Sequence, residues 1–460
     1  MTTTPYPPAT VPLPAGQRNT RHIRRSRGRT SLIVGAALGA GIVTALGMTV
    51  GVFAGAPEHV ITGVALLSFA LGWLLLAVFA GKFTDQPQRW ALVPAAGTGV
   101  AAAALLLFAP EDSTISALGW VWPAPLLGLA AWIIVKARHD LRHWSRWLMV
   151  YSVAAVMAIA AIGGGIETAV AATPAMPAQG RLVDVGDHRL YLECAGTGSP
   201  TVVLSNGFRE HTSSWAWITP TIAQATRVCV YDRAGQGWSD NAETPQDGNQ
   251  VADDLHTLLH NAQVPGPYLL AGHSSGGIYN LIFAARHPAE VAGLVLLDSA
   301  TPEQFTALPD YPGAYALSHR VNALYPPLAR LGLARLIFGT AFTALPPEAR
   351  DREQAFASTA HEMNGQRDEW SQLPTAFDQA KALDTLGATP LVVVTAGAGQ
   401  QPGWADAQNK LTSYSTNAIH RTITDATHAT LLSDPTFAAY SNAAILDVIT
   451  AARTGATLRP

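Results

Sequence analysis

Two hydrophobic patterns divide the chain. Residues 31–171 run in long stretches of Ala, Leu, Val and Gly that are nearly free of charge. A helix rises 1.5 Å per residue, so about 20 apolar residues cross a hydrocarbon layer of roughly 30 Å. Five stretches meet that length: 31–55, 60–81, 91–110, 118–135 and 148–166. The fourth contains Pro123 and Pro125, which interrupt a continuous helix. Trp90, Trp120, Trp122, Trp144 and Trp147 lie near predicted ends, where amphipathic rings favour the membrane interface. The pattern predicts an all-α transmembrane region of five helices.

From about Gly180 the apolar runs shorten and Gly/Pro turns separate them. Residues 182–185 and 190–194 read as a hairpin through Gly186-Asp187. Residues 201–205, 227–231, 268–272, 292–298, 390–396 and 418–423 read as further strands. Helical periodicity lies between most of them, notably over 251–261 and 436–452. Strands alternating with helices predict a mostly parallel eight-stranded sheet covered on both faces. The expected organisation is a basic, disordered tail (1–30), the membrane region (31–171), a linker (172–180) and an α/β domain (181–460). No internal repeat is evident.

Composition agrees with this division. Of 460 residues, 48% are hydrophobic and only 13% charged, against about 25% charged in soluble domains. A formal net charge of −3 and the lack of a basic face point away from a nucleic-acid partner.

Arg18, Arg21, Arg24, Arg25, Arg27 and Arg29 precede the first span. Lys82 and Arg89 fill the second loop, and Lys136, Arg138, Arg142 and Arg146 the fourth. The first and third loops have no Lys or Arg. Basic loops stay inside, so the N-terminus is expected in the cytoplasm and the α/β domain outside it, on a multi-pass cell-membrane protein. The first span is too long for a cleaved signal peptide, and Arg24-Arg25 reads as part of a positive-inside anchor. The spans hold no carboxylate pair or proton relay, with Glu167 at the outer end of the fifth. That scarcity favours anchoring over transport. His139 and His143 have helical metal-ligand spacing, but sit among arginines and read as surface residues.

Candidate chemistry centres on Gly272-His273-Ser274-Ser275-Gly276-Gly277. It follows a strand-like run and precedes a helical one. Gly-x-Ser-x-Gly in that context forms a sharp turn that exposes the serine at a helix N-terminus. A serine alcohol needs a base to become a nucleophile. His428, in a loop after the last predicted strand, fits better than His256, His260, His273 or His420.

Residues 180–455 resemble an α/β-hydrolase of the serine esterase or proline-iminopeptidase branch. Asn206-Gly207-Phe208 resembles the family's oxyanion turn, with Asn206 in place of the usual His. Tyr231–Ser239 resembles the Asp-Arg-x-Gly-x-Gly-x-Ser loop, and Thr427-His428-Ala429 the loop of the base. The resemblance implies a catalytic triad of Ser274, His428 and an acid. The family's usual acid position, after the seventh strand, is 397–402 here and has no carboxylate. Asp298, after the sixth strand, and Asp406 are the two alternatives. Backbone amides of Phe208 and Ser275 are the expected oxyanion donors, and Asp232 and Arg233 structural parts of their loop. Cys194 and Cys229 fall on neighbouring strands of this fold, so a disulfide and two free thiols both stay open.

A helical cap is expected over about 300–385, with Tyr311, Tyr315, Tyr325, Leu331, Leu333, Phe338 and Phe342 as candidate pocket residues. Glu362 and Glu369 are either amine-binding groups or solvated charges. The expected function is a membrane-anchored serine hydrolase acting on a small-molecule or lipid ester, needing no metal or organic cofactor. An aminopeptidase of the proline-iminopeptidase type, and a non-catalytic membrane sensor with a vestigial hydrolase domain, are the alternatives.

Overall fold

The computed structural model describes residues 16–84, 86–141, 144–172, 179–338 and 341–459. The first part of the tail, linker residues 173–178 and His143 lie outside the described residues. The chain forms two compact units, Met1–Val52 with Thr62–Ile162, and Phe53–Ile61 with Gly163–Pro460.

Among the described residues, four helices are long and apolar enough to cross a membrane: Thr30–Val52, Glu58–Phe83, Arg89–Phe108 and Met149–Ala171. The expected fourth span is instead two helices, Asp112–Leu118 and Pro123–Asp140, bent by 52°. Pro123 starts the second of these rather than sitting inside one. A proline lacks the N–H that a first-turn residue does not use, so it is well placed there. Val34, Trp73, Leu76, Trp90, Ile133 and Val150 pack the interior of the first unit.

The second unit contains one eight-stranded sheet: β1 Arg181–Asp184, β2 Arg189–Ala195, β3 Thr201–Ser205, β4 Val228–Tyr231, β5 Tyr268–His273, β6 Val291–Leu297, β7 Leu391–Ala396 and β8 Ala418–Ile423. Their order is β1-β2-β4-β3-β5-β6-β7-β8. β1 and β2 are antiparallel to each other, β2 is antiparallel to β4, and every pair from β4 to β8 is parallel. Each predicted strand is present within about two residues, because strands covered on both faces leave unbroken apolar runs.

Side chains alternate between two cores. Val203, Leu270, Leu294 and Leu296 face the helices Gly248–Asn261, Ser275–Arg286 and Ala360–Ala380. Val202, Leu204, Leu269, Ala271, Val295 and Leu297 face Pro435–Thr454. Strand periodicity of two thus feeds both layers. Cys194 and Cys229 are paired directly across β2 and β4 and form a disulfide.

After β3 the chain moves outward to β4, then returns across β3 to β5. Loops leaving β3 and β5 therefore diverge, opening a crevice at the carboxyl ends of the strands. Between β6 and β7 the chain adds helices Gln304–Ala307, Tyr311–Asn322, Tyr325–Arg330, Leu333–Phe338, Pro347–Phe356 and Ala360–Ala380. These helices occupy the stretch where a cap is expected, and the segment is called the cap below.

Candidate active site

Ser274 links β5 to the helix Ser275–Arg286 with φ 53° and ψ −124°. A non-glycine residue pays steric strain there, so the surrounding turn must enforce it. Its neighbours make the enforcement possible. A Cβ on Gly276 would lie 2.2 Å from the Ser205 carbonyl oxygen, so only glycine permits this approach of helix to β3. The Ser274 amide donates to Leu297 O at 3.2 Å, and its carbonyl accepts from Ala300 N at 3.0 Å. Serine and β6 are thereby tied together.

Asp298 follows β6, also at positive φ (41°). Its Oδ2 lies 2.6 Å from His428 Nδ1. Its Oδ1 accepts from the indole of Trp404 at 2.8 Å and from Ala396 N at 3.1 Å. Burial opposes the Asp298 charge, but the hydrogen bond and charge of His428 and the Trp404 N–H outweigh it, holding the carboxyl below its usual range. Asp406 stands exposed on the helix Trp404–Leu411 and does not line the cavity described below.

Asn206 is buried where the family usually has histidine. Its amide donates to Tyr231 O at 2.9 Å and accepts from Trp215 Nε1 at 2.8 Å, bracing the turn after β3. The Gly207 amide donates to Glu210 Oε2 at 2.6 Å. Phe208 N–H has no acceptor among the described residues, and Ser275 begins a helix whose first N–H groups lack internal partners. Arg233 holds this turn from behind, donating to the carbonyls of Asn206 and Gly207. Asp232 accepts from the amides of Thr212 and Trp238, so both residues are structural parts of their loop.

A cavity of about 460 Å³ joins these groups. Phe208, Ser274, Ser275, Asp298 and His428 line it, beside Gln304, Tyr311, Trp370, Leu373, Phe377, Gln400, Gln401 and Trp404. Of the cap side chains offered by the sequence, Tyr311 is in this lining. Tyr315 stacks on Trp370, while Tyr325 and Phe338 receive the Arg209 guanidinium. Trp404, Gln400 and Gln401 come from the loop and helix after β7, a stretch expected from the sequence to supply only a carboxylate.

Two further histidines support the site without lining it. His273 Nε2 donates to the His428 carbonyl at 2.9 Å, and Nδ1 lies 2.6 Å from Glu210. Burial opposes charge on His273, but Glu210 reverses this and raises its pKa. His211 is fully buried between Glu353 and Glu362, 2.7 Å from each. Glu369 pairs with Arg233 at 2.9 Å and accepts from Ser275 Oγ at 3.0 Å. Glu362 and Glu369 are therefore neither solvated charges nor free to hold an amine. His211, Arg233 and Ser275 lie more than 90 residues from these glutamates in sequence, so nothing in the helical pattern signals them.

His256, His287 and Glu290 also cluster, with ligand atoms within 4.8 Å of one another. The two imidazoles stack at 4.2 Å with planes 4° apart. Lone pairs lying in two parallel planes do not converge on one ion, so this arrangement is a stacked pair rather than a formed metal site.

The family profile of the alpha/beta hydrolase fold matches residues 200–435. The chain belongs to that family and is an α/β-hydrolase. An uncharacterized protein of Schizosaccharomyces pombe is 30% identical over 297 residues, covering 56% of this chain and 54% of that protein. The dihydrolipoyllysine-residue acetyltransferase component of the acetoin cleaving system of Pseudomonas putida is 32% identical over 149 residues, covering 32% of this chain and 40% of that protein. Among solved structures, a thermophilic esterase from Thermogutta terrifontis has a TM-score of 0.48 at 22% identity, covering 60% of this chain and 100% of that one. The chain spans about half the length, or less, of the curated relatives it matches first.

Proposed function

We propose that the protein is a membrane-anchored serine hydrolase that cleaves an uncharged carboxylic ester through an acyl-enzyme intermediate. The observation that carries this reading is the Asp298–His428 pair at 2.6 Å, opening onto the cavity that also holds the strained Ser274. Ser274 Oγ attacks the ester carbonyl while His428 Nε2 takes its proton. Asp298 fixes the imidazole tautomer and stabilises the imidazolium. The amides of Phe208 and Ser275 receive the oxyanion, each such donor being worth about 3 kcal/mol of barrier. His428 then protonates the departing alcohol, and water attacks the acyl-enzyme by the same route in reverse.

Two observations support an ester over an amino-terminal peptide substrate. Among the described residues Asp298 is the one carboxylate in the cavity lining, and His428 and Trp404 occupy it. Glu362 and Glu369, which an aminopeptidase reading would use for the substrate amine, are committed to His211 and Arg233.

The four apolar helices support an anchoring role, and with the bent pair Asp112–Leu118 and Pro123–Asp140 as a fifth crossing the basic loops favour a cytoplasmic N-terminus with the hydrolase domain outside. The Cys194–Cys229 bond fits an oxidising exterior. Labelling with a fluorophosphonate probe tests the reading. The wild type is expected to label and Ser274→Ala to remain unlabelled; an unreactive wild type, or equal labelling of both, removes the serine-hydrolase assignment.

A further inference from the structure

Exposed apolar side chains are concentrated in one part of the cap. Seven large ones are exposed among the described residues after 180, and five of them fall within 317–337: Leu317, Leu328, Leu333, Leu336 and Ile337. Leu336 is 78% and Ile337 60% exposed. They are consecutive on the short helix Leu333–Phe338, whose sequence Leu-Ala-Arg-Leu-Ile-Phe has one charge. Such a concentration of exposed apolar side chains on one segment marks a surface that something other than water covers.

The second unit itself includes Phe53–Ile61 and Gly163–Pro460, so it carries the ends of two apolar helices along with the cap. Inside this unit the cap segment is fastened to those ends. Arg330 pairs with Glu58, the first residue of the apolar helix Glu58–Phe83, and Asn364 donates to the same carboxylate at 2.9 Å. Arg335 grips Glu167 through two bonds of 2.9 Å. Glu58 and Glu167 are both buried by these partners.

The Leu331 carbonyl lies so near Gly163 that a Cβ there would come within 2.4 Å of it. Gly163 precedes the last residue of the helix Met149–Ala171 by eight positions, about 12 Å of helix rise. The Leu331–Gly332 turn is thus level with the final turns of an apolar helix, not beyond its end. Ile166 and Val170, four apart on those same turns, are exposed as well.

We infer that the helix Leu333–Phe338 forms a lipid-contact face, seated in the interfacial layer of the bilayer. This rests on the membrane anchoring proposed above. A face held beside an apolar helix at that height meets whatever covers the helix, and for Ile166 and Val170 that is lipid. The arginines that would resist insertion, Arg330 and Arg335, are matched by Glu58 and Glu167. The exposed Leu and Ile side chains then behave as the apolar side of an interfacial helix. The same cap supplies Tyr311 to the cavity, so the element that meets lipid is also an element of the candidate site.

Depth-dependent fluorescence quenching tests this on the full chain in phosphatidylcholine nanodiscs. The native cysteines are disulfide-bonded, so single reporters are introduced as Leu336→Cys and Ile337→Cys and labelled with an environment-sensitive fluorophore. Val156→Cys, exposed on the last apolar helix, serves as the lipid reference, and Leu182→Cys, on β1, as the aqueous one. Lipids spin-labelled near the headgroup are expected to quench positions 336 and 337 at least about threefold more than position 182, and lipids spin-labelled along the acyl chain to quench position 156. Quenching at 156 with 336 and 337 no more quenched than 182 overturns the lipid-contact face alone. No quenching at 156 overturns the membrane reading, and this inference with it.

Discussion

At the scale of single residues, the site is a set of short-range commitments around one imidazole. Asp298→Asn, which reverses the tautomer preference of His428, is expected to lower the hydrolysis rate by about 10⁴. Asp406→Asn is expected to leave it unchanged. Steady-state kinetics on a soluble ester decide between them; equal effects would remove the assigned role. Trp404→Phe keeps an aromatic ring but deletes the 2.8 Å bond to Asp298, and a lost bond to a charged group predicts a rate loss of about tenfold. Ser274 and His428 are readable from the sequence because each sits in a local motif whose turn chemistry is carried by adjacent residues. The acid is not. Trp404 and Asp406 share a helix two residues apart, so they point to opposite sides of it, and only the seating of that helix turned the indole inward and the carboxylate out.

At the scale of elements, buried ion pairs attach the cap region to the sheet. His211 follows β3, while Glu353 and Glu362 belong to the helices Pro347–Phe356 and Ala360–Ala380. Burial disfavours a charged His211, but the two carboxylates override it and raise its pKa well above 6.5. The stabilisation from this cation is complete below 6.5 and is lost as pH rises through the higher folded value. Glu362 is held below 4.5 despite burial, chiefly by the His211 charge, so its contribution is present above 4.5 and lost as pH falls through the lower folded value. Thermal melting in detergent is therefore expected to weaken toward alkaline pH, and His211→Gln to flatten that dependence; an unchanged slope in the variant would refute the clamp. The disulfide joins β2 to β4 across 35 residues. Its loss in Cys194→Ala/Cys229→Ala is expected to cost about 3–4 kcal/mol by the loop-entropy relation, measurable as a lower denaturant midpoint. Glu362 and Glu369 look like ordinary helix charges in sequence because a helical pattern records spacing along one segment, not the arrival of His211 or Arg233 from another.

At the scale of the whole molecule, a region of long apolar helices and a hydrolase domain share one chain, and the proposed topology places the domain outside. A C-terminal tag is then expected to be digested by protease added to intact cells; full protection would reverse the orientation. The sheet and the number of apolar segments were legible in advance because they depend on composition over long windows. A strand covered on both faces must be apolar throughout, and a lipid-spanning helix must be apolar for its full length. The bent Asp112–Leu118 and Pro123–Asp140 pair was visible only as two awkward prolines. The sequence by itself determined an alternating strand–helix domain whose motifs resemble an α/β-hydrolase, the elbow motif at Ser274, the candidate base His428 and the distribution of basic loops. The tertiary structure alone decided that Asp298 meets His428, that Glu362 and Glu369 face inward, and that the exposed leucines of the cap lie beside apolar helix ends. Those outcomes depend on which distant segments meet, and a meeting of distant segments leaves no periodic trace in the sequence of either one.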